Sequence, residues 1–421
     1  MTTVCFVVPE DEFQRLFLQQ PIDVLNAAAA LEADGVDVHV WDRRLTAEPR
    51  VQHAPDLTVL VTAVADRAQC YPLDIAPSRE AVRQVRSRWP GTPIIACGPH
   101  GTHLPQVTLR DLGVDHVARG ENDSAAVGAV RDFVAGRALT PVLPMVGSYP
   151  DLDPDGWPLP AYHLVDGSGY TAEVVSEGRA HRGPAGLVLG VRGCSYGCTF
   201  CHLPFGTRMR PRAVSRTMRE ITELRDRGMD SLFFLDYVFG LHPSYYDDLC
   251  GELTGRGISW TGQTRAEVVL RNDVTRWAEA GCTGMWLGAE SPGVADAGVG
   301  KRVSVEQVTA AVRKLSEAGI TPLAFVLLGL PDDAACQGDR LVDWAAGLPA
   351  LFGLNQLVLR PGTRLYEDLA PRYTDGSAPT HWTQVEEVTL RYRNTYPADL
   401  DDQWERLLRL PNYLGNAMAS G

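Results

Sequence analysis

The chain has 421 residues, 45% of them apolar, which is enough to bury the cores of two domains. Its 39 Lys and Arg stand against 52 Asp and Glu, a formal charge of −13, which argues against a nucleic acid or an anionic membrane as the main partner. No apolar run approaches a membrane span, and nine cysteines behind an N-terminus with no basic, leader-like flank are expected in a reducing, cytoplasmic setting.

In chain order, the first third alternates β-branched and helical runs. Strands are expected at 3–8, 36–41, 57–62, 93–97 and 115–118, and helices at 21–33, 81–88 and 125–134. Short strands separated by helices predict a parallel sheet covered on both faces. From about 139 the alternation stops, and Pro141, Pro144, Pro150, Pro154, Pro158, Pro160 and Pro184 fall among Gly and Asp. Proline removes a backbone donor and pushes its neighbour toward extended chain. The segment 141–186 therefore reads as a connector, with a domain boundary near 140.

A second series follows. Strands are expected at 187–191, 231–235, 259–261, 284–287, 322–328 and 356–359, with helices at 215–227, 245–256, 274–280, 305–318 and 339–346. Six strands with intervening helices predict a partial or full β/α barrel, whose chemistry gathers at the carboxyl ends of the strands. In the remaining tail, 367–421, the stretch 404–414 is amphipathic enough to cover the mouth of such a barrel.

Cys194, Cys198 and Cys201 lie directly after the first strand of this second series, in the run Cys-Ser-Tyr-Gly-Cys-Thr-Phe-Cys-His202. Three thiols this close leave one over in any disulfide scheme. Zinc held by the three cysteines and His202 is one reading, but structural zinc usually draws on two separated ligand pairs. A c-type haem is another, since Cys198 to His202 spells C-x-x-C-H, but it leaves Cys194 unexplained. An iron–sulfur cluster uses all three thiolates and leaves one iron open to a ligand. Cys5, Cys70, Cys97, Cys250, Cys282 and Cys336 stand alone and read as structural.

The C-x-x-x-C-x-φ-C pattern, with Phe200 as its aromatic position, resembles the signature of the radical S-adenosylmethionine (SAM) superfamily, over most of 187–366. The resemblance implies a [4Fe–4S] cluster on the three cysteines, with SAM chelated to the open iron and cleaved to methionine and a 5′-deoxyadenosyl radical. It also implies a small-molecule substrate and an external electron donor such as a flavodoxin or ferredoxin. Later segments fit the same template. Asp236 ends a segment resembling the family's second strand, where many members have Gly-Gly-Glu and contact the SAM amino group. Arg265 stands where a guanidinium can pair with the SAM carboxylate. Glu290 and Ser291 lie in a G-x-E-S-like segment facing SAM hydroxyls, and Gly329 allows backbone to approach the adenine. Lys301 fits the lysine that usually follows the fourth strand. It does not belong to a phosphate loop, because Ala295 and Arg302 replace the glycine and the Ser or Thr such a loop needs.

Residues 1–140 resemble the cobalamin (B12) binding domain fused to many members of that superfamily. The resemblance rests on 96–105, with Gly98, His100, Gly101 and Thr102, and on 117–122, with Gly120 and Glu121. It implies cobalamin at the carboxyl edge of a Rossmann-like sheet. The motif that supplies a cobalt-ligating histidine elsewhere is absent: Asp42 stands at its glycine, and His39 falls within an expected strand. The loop 66–72, with Arg67 and Gln69, is then the candidate to face the cobalt.

The fold class implied is α/β, an N-terminal Rossmann-like B12-binding-type domain (1–140) followed by a partial (β/α)6 radical SAM barrel (187–366) and a short helical C-terminal tail. Cobalamin-dependent methylation of a small polar metabolite, in secondary metabolism, is the expected activity. A cobalamin-independent radical dehydration or deoxygenation of a sugar or aminosugar in antibiotic biosynthesis is the alternative. A non-catalytic iron–sulfur or cobalamin carrier does not account for so many SAM-contact segments.

Overall fold

The computed structural model describes residues 1–11, 18–146, 156–176, 179–333, 339–397 and 399–419; Cys336, Pro150 and Pro154 lie outside them. The chain forms two units. The first comprises Met1–Tyr170, Cys201–Gly206 and Arg360–Val388, and the second Thr171–Phe200, Thr207–Leu359 and Thr389–Gly421. This division departs from the expected linear bounds, because Cys201–Gly206 and Arg360–Val388 pack back into the first unit.

The first unit is built on β1 (Thr3–Val8), β2 (Asp37–Asp42), β3 (Leu57–Val61), β4 (Ile94–Cys97), β5 (His116–Arg119) and β6 (Val142–Met145), all parallel in the order β2-β1-β3-β4-β5-β6. The expected connector thus begins with a sixth strand of this sheet. Pro141 and Pro144 obscured it, although proline is tolerated where, as here, the strand is at an edge. The order reverses between β1 and β3, the switch point where open α/β sheets bind ligands beyond their strand ends. Ala27, Ala28, Ala29 and Ala30 on the helix Ile22–Ala33 share one core with Ala125, Ala126 and Ala129 on the helix Asn122–Val134, and these small side chains let backbones come close.

The second unit opens with the antiparallel hairpin β7 (Thr171–Ser176) and β8 (Arg179–Pro184), also within the expected connector. Its main sheet contains β9 (Gly186–Val188). The short antiparallel pair β10 (Val191–Arg192) and β11 (Arg210–Pro211) brackets the cysteine run. The main sheet continues with β12 (Ser231–Phe234), β13 (Ser259–Thr264), β14 (Cys282–Glu290), β15 (Thr321–Leu328) and β16 (Leu351–Gln356). All six main strands are parallel and lie in chain order, the sequential winding of a partial β/α barrel. The last strand starts five residues earlier than expected. Gly353 and Asn355 dilute its β signal, yet Leu351–Gln356 is the segment paired with Leu323–Leu328.

Phe234, Phe239, Trp260 and Trp277 form one aromatic core in this unit, with ring centroids 4.6 to 5.4 Å apart. Trp286 on β14 stacks on Phe325 of β15 at 4.3 Å, and Gly353 gives the indole room, since a Cβ there would stand 3.0 Å from it. The helix Val305–Glu317 begins with a capping box between Ser304 and Gln307. The expected tail is helical, at Trp382–Asn394, Leu400–Leu408 and Leu414–Ala419. Tyr392 and Tyr396 donate to the carbonyls of Gly329 and Leu330 at 2.7 and 2.6 Å, fixing the turn after β15.

Candidate active site

The cysteine run is positioned from below by Asp236, just beyond β12. Its Oδ1 accepts from the Gly190 amide at 2.6 Å, and its Oδ2 accepts from the Tyr246 hydroxyl at 2.7 Å. Burial pushes the carboxyl up to about 6, against the pull of those hydrogen bonds. Asp236, expected at the SAM amino group, is thus an internal anchor with both oxygens engaged, holding the chain that leads into the cysteines. Tyr246, ten residues on, is the partner the sequence did not reveal.

Cys194 and Cys198 are buried in the second unit, and burial raises the Cys194 thiol. Cys201 is half-buried and belongs to the segment that packs with the first unit. No described cysteine is in a disulfide. Among the described residues no three His, Cys, Asp or Glu side chains are gathered at metal-holding distance, so the triad is assigned by its spacing and chemistry. Phe200 is half-buried in the turn between Cys198 and Cys201. The loop after β14 lies on the run: the Thr199 amide donates to Val299 O at 2.9 Å, and a Cβ on Gly300 would stand 2.5 Å from Gly197 O.

Three further strand ends supply polar groups. Arg265 follows β13, is 6% exposed, and donates from Nη1 to Cys198 Sγ at 3.1 Å and from Nη2 to Glu267 Oε1 at 2.7 Å. Its guanidinium carbon lies 3.9 Å from the Tyr196 ring centroid. The residue expected at the SAM carboxylate therefore grips a cysteine sulfur. Glu290 ends β14 at φ +59°, a left-handed conformation unfavourable for a residue with a Cβ, beside a register shift in the β14–β15 pairing. Lys301 reaches its Oε1 at 2.5 Å, and Gly288 is small because a Cβ there would collide with that ammonium. Ser291, expected toward SAM, accepts from the Gly293 amide at 3.1 Å and shapes the turn. Gly329, at φ +88°, has Leu400 3.4 Å from the place of a Cβ.

In the first unit the expected cofactor residues pack among themselves. Gly98, at φ +128°, precedes the short helix Pro99–His103, and a Cβ on it would stand 2.3 Å from Thr62 Oγ1. Gly101 and Gly120 are held small by Val117 Cγ1 and Val146 O, at 2.6 and 2.8 Å. Thr102 donates to Gly98 O at 2.9 Å and accepts from the Gly120 amide at 3.2 Å. Glu121 is buried at the start of the helix Asn122–Val134. His100 has both ring nitrogens engaged, Nε2 with Pro72 O at 2.7 Å and Nδ1 with Thr62 Oγ1 at 2.9 Å, and burial lowers it to about 4. It is a neutral imidazole with both nitrogens bonded to protein atoms.

His39 sits in β2 beside Asp37, as its strand position suggested. Arg67 pairs with Asp11 at 2.8 Å, and Gln69 closes the short helix Ala65–Ala68. Tyr71, on the same loop, donates to Pro361 O at 2.7 Å. The sequence also gave no sign of the pair formed by His103 and His202, whose Nε2 atoms are 2.7 Å apart. His202 Nδ1 must donate to Ala68 O, 2.6 Å away, so in the neutral pair His202 Nε2 accepts and His103 donates. Burial keeps both neutral, at about 4 and about 3.

Residues 188–345 match the family model of the radical SAM superfamily. The match covers the series of strands that carries the cysteine run, Arg265 and Glu290. An uncharacterized methyltransferase from Pyrococcus horikoshii is 28% identical over 65% of this chain, which spans 62% of that relative's length. The radical SAM methyltransferase TsrM from Kitasatospora setae, solved with cobalamin and a [4Fe–4S] cluster, matches with a TM-score of 0.68 at 18% identity, over 92% of this chain and 82% of TsrM. The cobalamin-dependent SAM radical enzyme OxsB matches with a TM-score of 0.61 at 15% identity, over 87% of this chain and 55% of OxsB. At such identities these two are likenesses of fold. The donor set here fits the family's cluster: three cysteines in one short run, free of disulfides in the described chain, with a guanidinium on one sulfur.

Proposed function

We propose that this protein is a cobalamin-dependent radical SAM methyltransferase that transfers a methyl group to carbon on a small polar metabolite of secondary metabolism. The observation that carries the reading is the pairing, in one chain, of a switch-point sheet and a sequentially wound barrel whose first loop carries the cysteine triad. The methyltransferase names of the relatives and the cobalamin bound in TsrM and OxsB support it.

Cys194, Cys198 and Cys201 would hold the cluster, which when bound supplies the electron that cleaves SAM. Asp236 holds the entry to their loop through Gly190. Glu290, in its left-handed turn, and Lys301 form a close ion pair suited to hydroxyl or amino groups of SAM. The carboxyl edge beyond β1, β3 and β4 would take cobalamin without a protein imidazole, since His39 and His100 are engaged elsewhere. Electrons would come from an external flavodoxin- or ferredoxin-type donor. No described helix is long and apolar enough to cross a membrane.

One observation favours a second reading, a cobalamin-independent radical dehydration. Gly98, Gly101 and Gly120 are each explained by neighbouring protein atoms, so the small-residue motif does not require a ligand.

The test is anaerobic reconstitution with iron, sulfide and hydroxocobalamin, followed by desalting and addition of SAM. A four-iron spectrum, one retained cobalamin per chain and formation of 5′-deoxyadenosine are expected. SAM cleavage without retained cobalamin would sink the methyltransferase reading in favour of the second. Cys194→Ala, Cys198→Ala and Cys201→Ala should each lose cluster and cleavage.

A further inference from the structure

Arg265 is an unusual residue to find buried against a thiol. Its guanidinium is almost wholly out of water, yet among the described residues only one carboxylate, Glu267, is hydrogen-bonded to it. The opposite terminal nitrogen points at Cys198 Sγ, and the flat face lies on Tyr196, midway between Cys194 and Cys198 in sequence. Nε has no hydrogen-bond partner among the described residues. Removing a guanidinium from water is costly unless it meets negative charge. A neutral thiol is a poor partner for it, and a thiolate bound to iron is a good one.

We propose that Arg265 is a positioning residue for the iron–sulfur cluster: held by Glu267 and Tyr196, it donates a charged hydrogen bond to the Cys198 sulfur and makes the cluster easier to reduce. The physical reason is simple. Reduction adds negative charge to the cluster and its sulfurs. A fixed cation 3.1 Å from one sulfur stabilises that added charge, and hydrogen bonds to cluster sulfurs are a recognised control of potential. Glu267, 2.7 Å from the other terminal nitrogen, opposes the effect and sets its size. A Lys at 265 keeps the charge but cannot hold Cys198 and Glu267 at once or lie flat on Tyr196. The inference rests on the cluster reading above and is independent of cobalamin.

The experiment is a spectroelectrochemical titration of the anaerobically reconstituted full-length protein, without SAM, alongside its iron content. Arg265→Gln should lower the midpoint potential by at least a tenfold change in the one-electron equilibrium, about 59 mV. Arg265→Lys should fall between Arg265→Gln and wild type. Glu267→Gln, which leaves the guanidinium in place, should shift the potential the opposite way. A purely structural role would alter iron content without producing shifts of opposite sign. Arg265→Gln at full iron content with an unchanged potential overturns the proposal. If that variant does not load iron, Glu267→Gln decides: an upward shift upholds the proposal and an unchanged potential ends it. A wild-type protein that assembles no four-iron cluster would instead overturn the functional reading itself.

Discussion

Both units rest on six parallel strands, and both collect polar side chains beyond the carboxyl ends, but they use those ends differently. In the first unit the strand order reverses between β1 and β3, and the residues near the edge satisfy one another. His100 bridges Thr62 and Pro72, Thr102 bridges Gly98 and Gly120, and the glycines fill gaps left by Thr62, Val117 and Val146. In the second unit the strands follow one another without reversal, and the ends carry groups that packing does not explain. Glu290 sits in a left-handed conformation, and Arg265 is buried against a sulfur. A motif of small residues can therefore arise from packing alone, whereas strain and a desolvated charge ask for a ligand.

The strongest way to break the contrast is Gly98→Val. A side chain there meets Thr62 Oγ1 and must adopt φ +128°. Stability should fall by roughly 3–5 kcal/mol with no cobalamin added. Hydrogen exchange should show protection lost in β3 and β4 while β12 to β15 of the second unit keep theirs. An undisturbed apo protein that loses only cobalamin retention would mean that the glycine is reserved for the ligand after all.

Asp236→Ala probes the other side. It strands the Gly190 amide and the Tyr246 hydroxyl, both buried partners, at about 2–4 kcal/mol. Urea titration should show this loss, with iron retention falling in step. A variant of normal stability but weakened SAM affinity would restore Asp236 to the SAM contact that its sequence position suggested.

His100→Gln gives the smallest effect and the most specific. A histidine lowered from 6.5 to about 4 contributes stability that is complete above about pH 6.5 and is lost as pH falls toward 4. Asp23 and Asp66 are raised by burial, to about 6 and about 7, so their contributions decline as pH rises through the same range. Both are present in wild type and variant and cancel in the difference. Between pH 7 and 4 wild type should lose up to about 3 kcal/mol more than His100→Gln. Parallel pH profiles would show that His100 is not the neutral bridge described above.

Much of this was legible in the sequence. Strand–helix alternation gave both sheets to within a residue or two for most strands, because buried parallel strands carry unmistakable apolar runs. The cysteine run, Arg265 and Glu290 stand out in the sequence because each lies at a strand end with a chemically committed side chain. What escaped notice depended on contacts distant in sequence. β6 was hidden by its prolines and β16 by Gly353. The engagement of Asp236 depends on Tyr246 and Gly190, and the His103–His202 pair joins residues ninety-nine positions apart. No local pattern encodes which oxygen or nitrogen is already taken.

The return of 360–388 to the first unit bears on how the protein is made. Trp382 is 1% exposed and donates to Thr108 at 3.0 Å, its amide donates to Asp111 at 2.7 Å, and Pro361 O receives the Tyr71 hydroxyl. A ribosome that has released residue 170 must still add roughly 200 more before these partners emerge, a wait of about 10–40 s at ordinary elongation rates. Through that interval Thr108, Tyr71 and Asp111 stand without their final neighbours. The N-terminal sheet is therefore not a cassette that can be cut at its apparent boundary and grafted elsewhere; its last structural piece is Arg360–Val388.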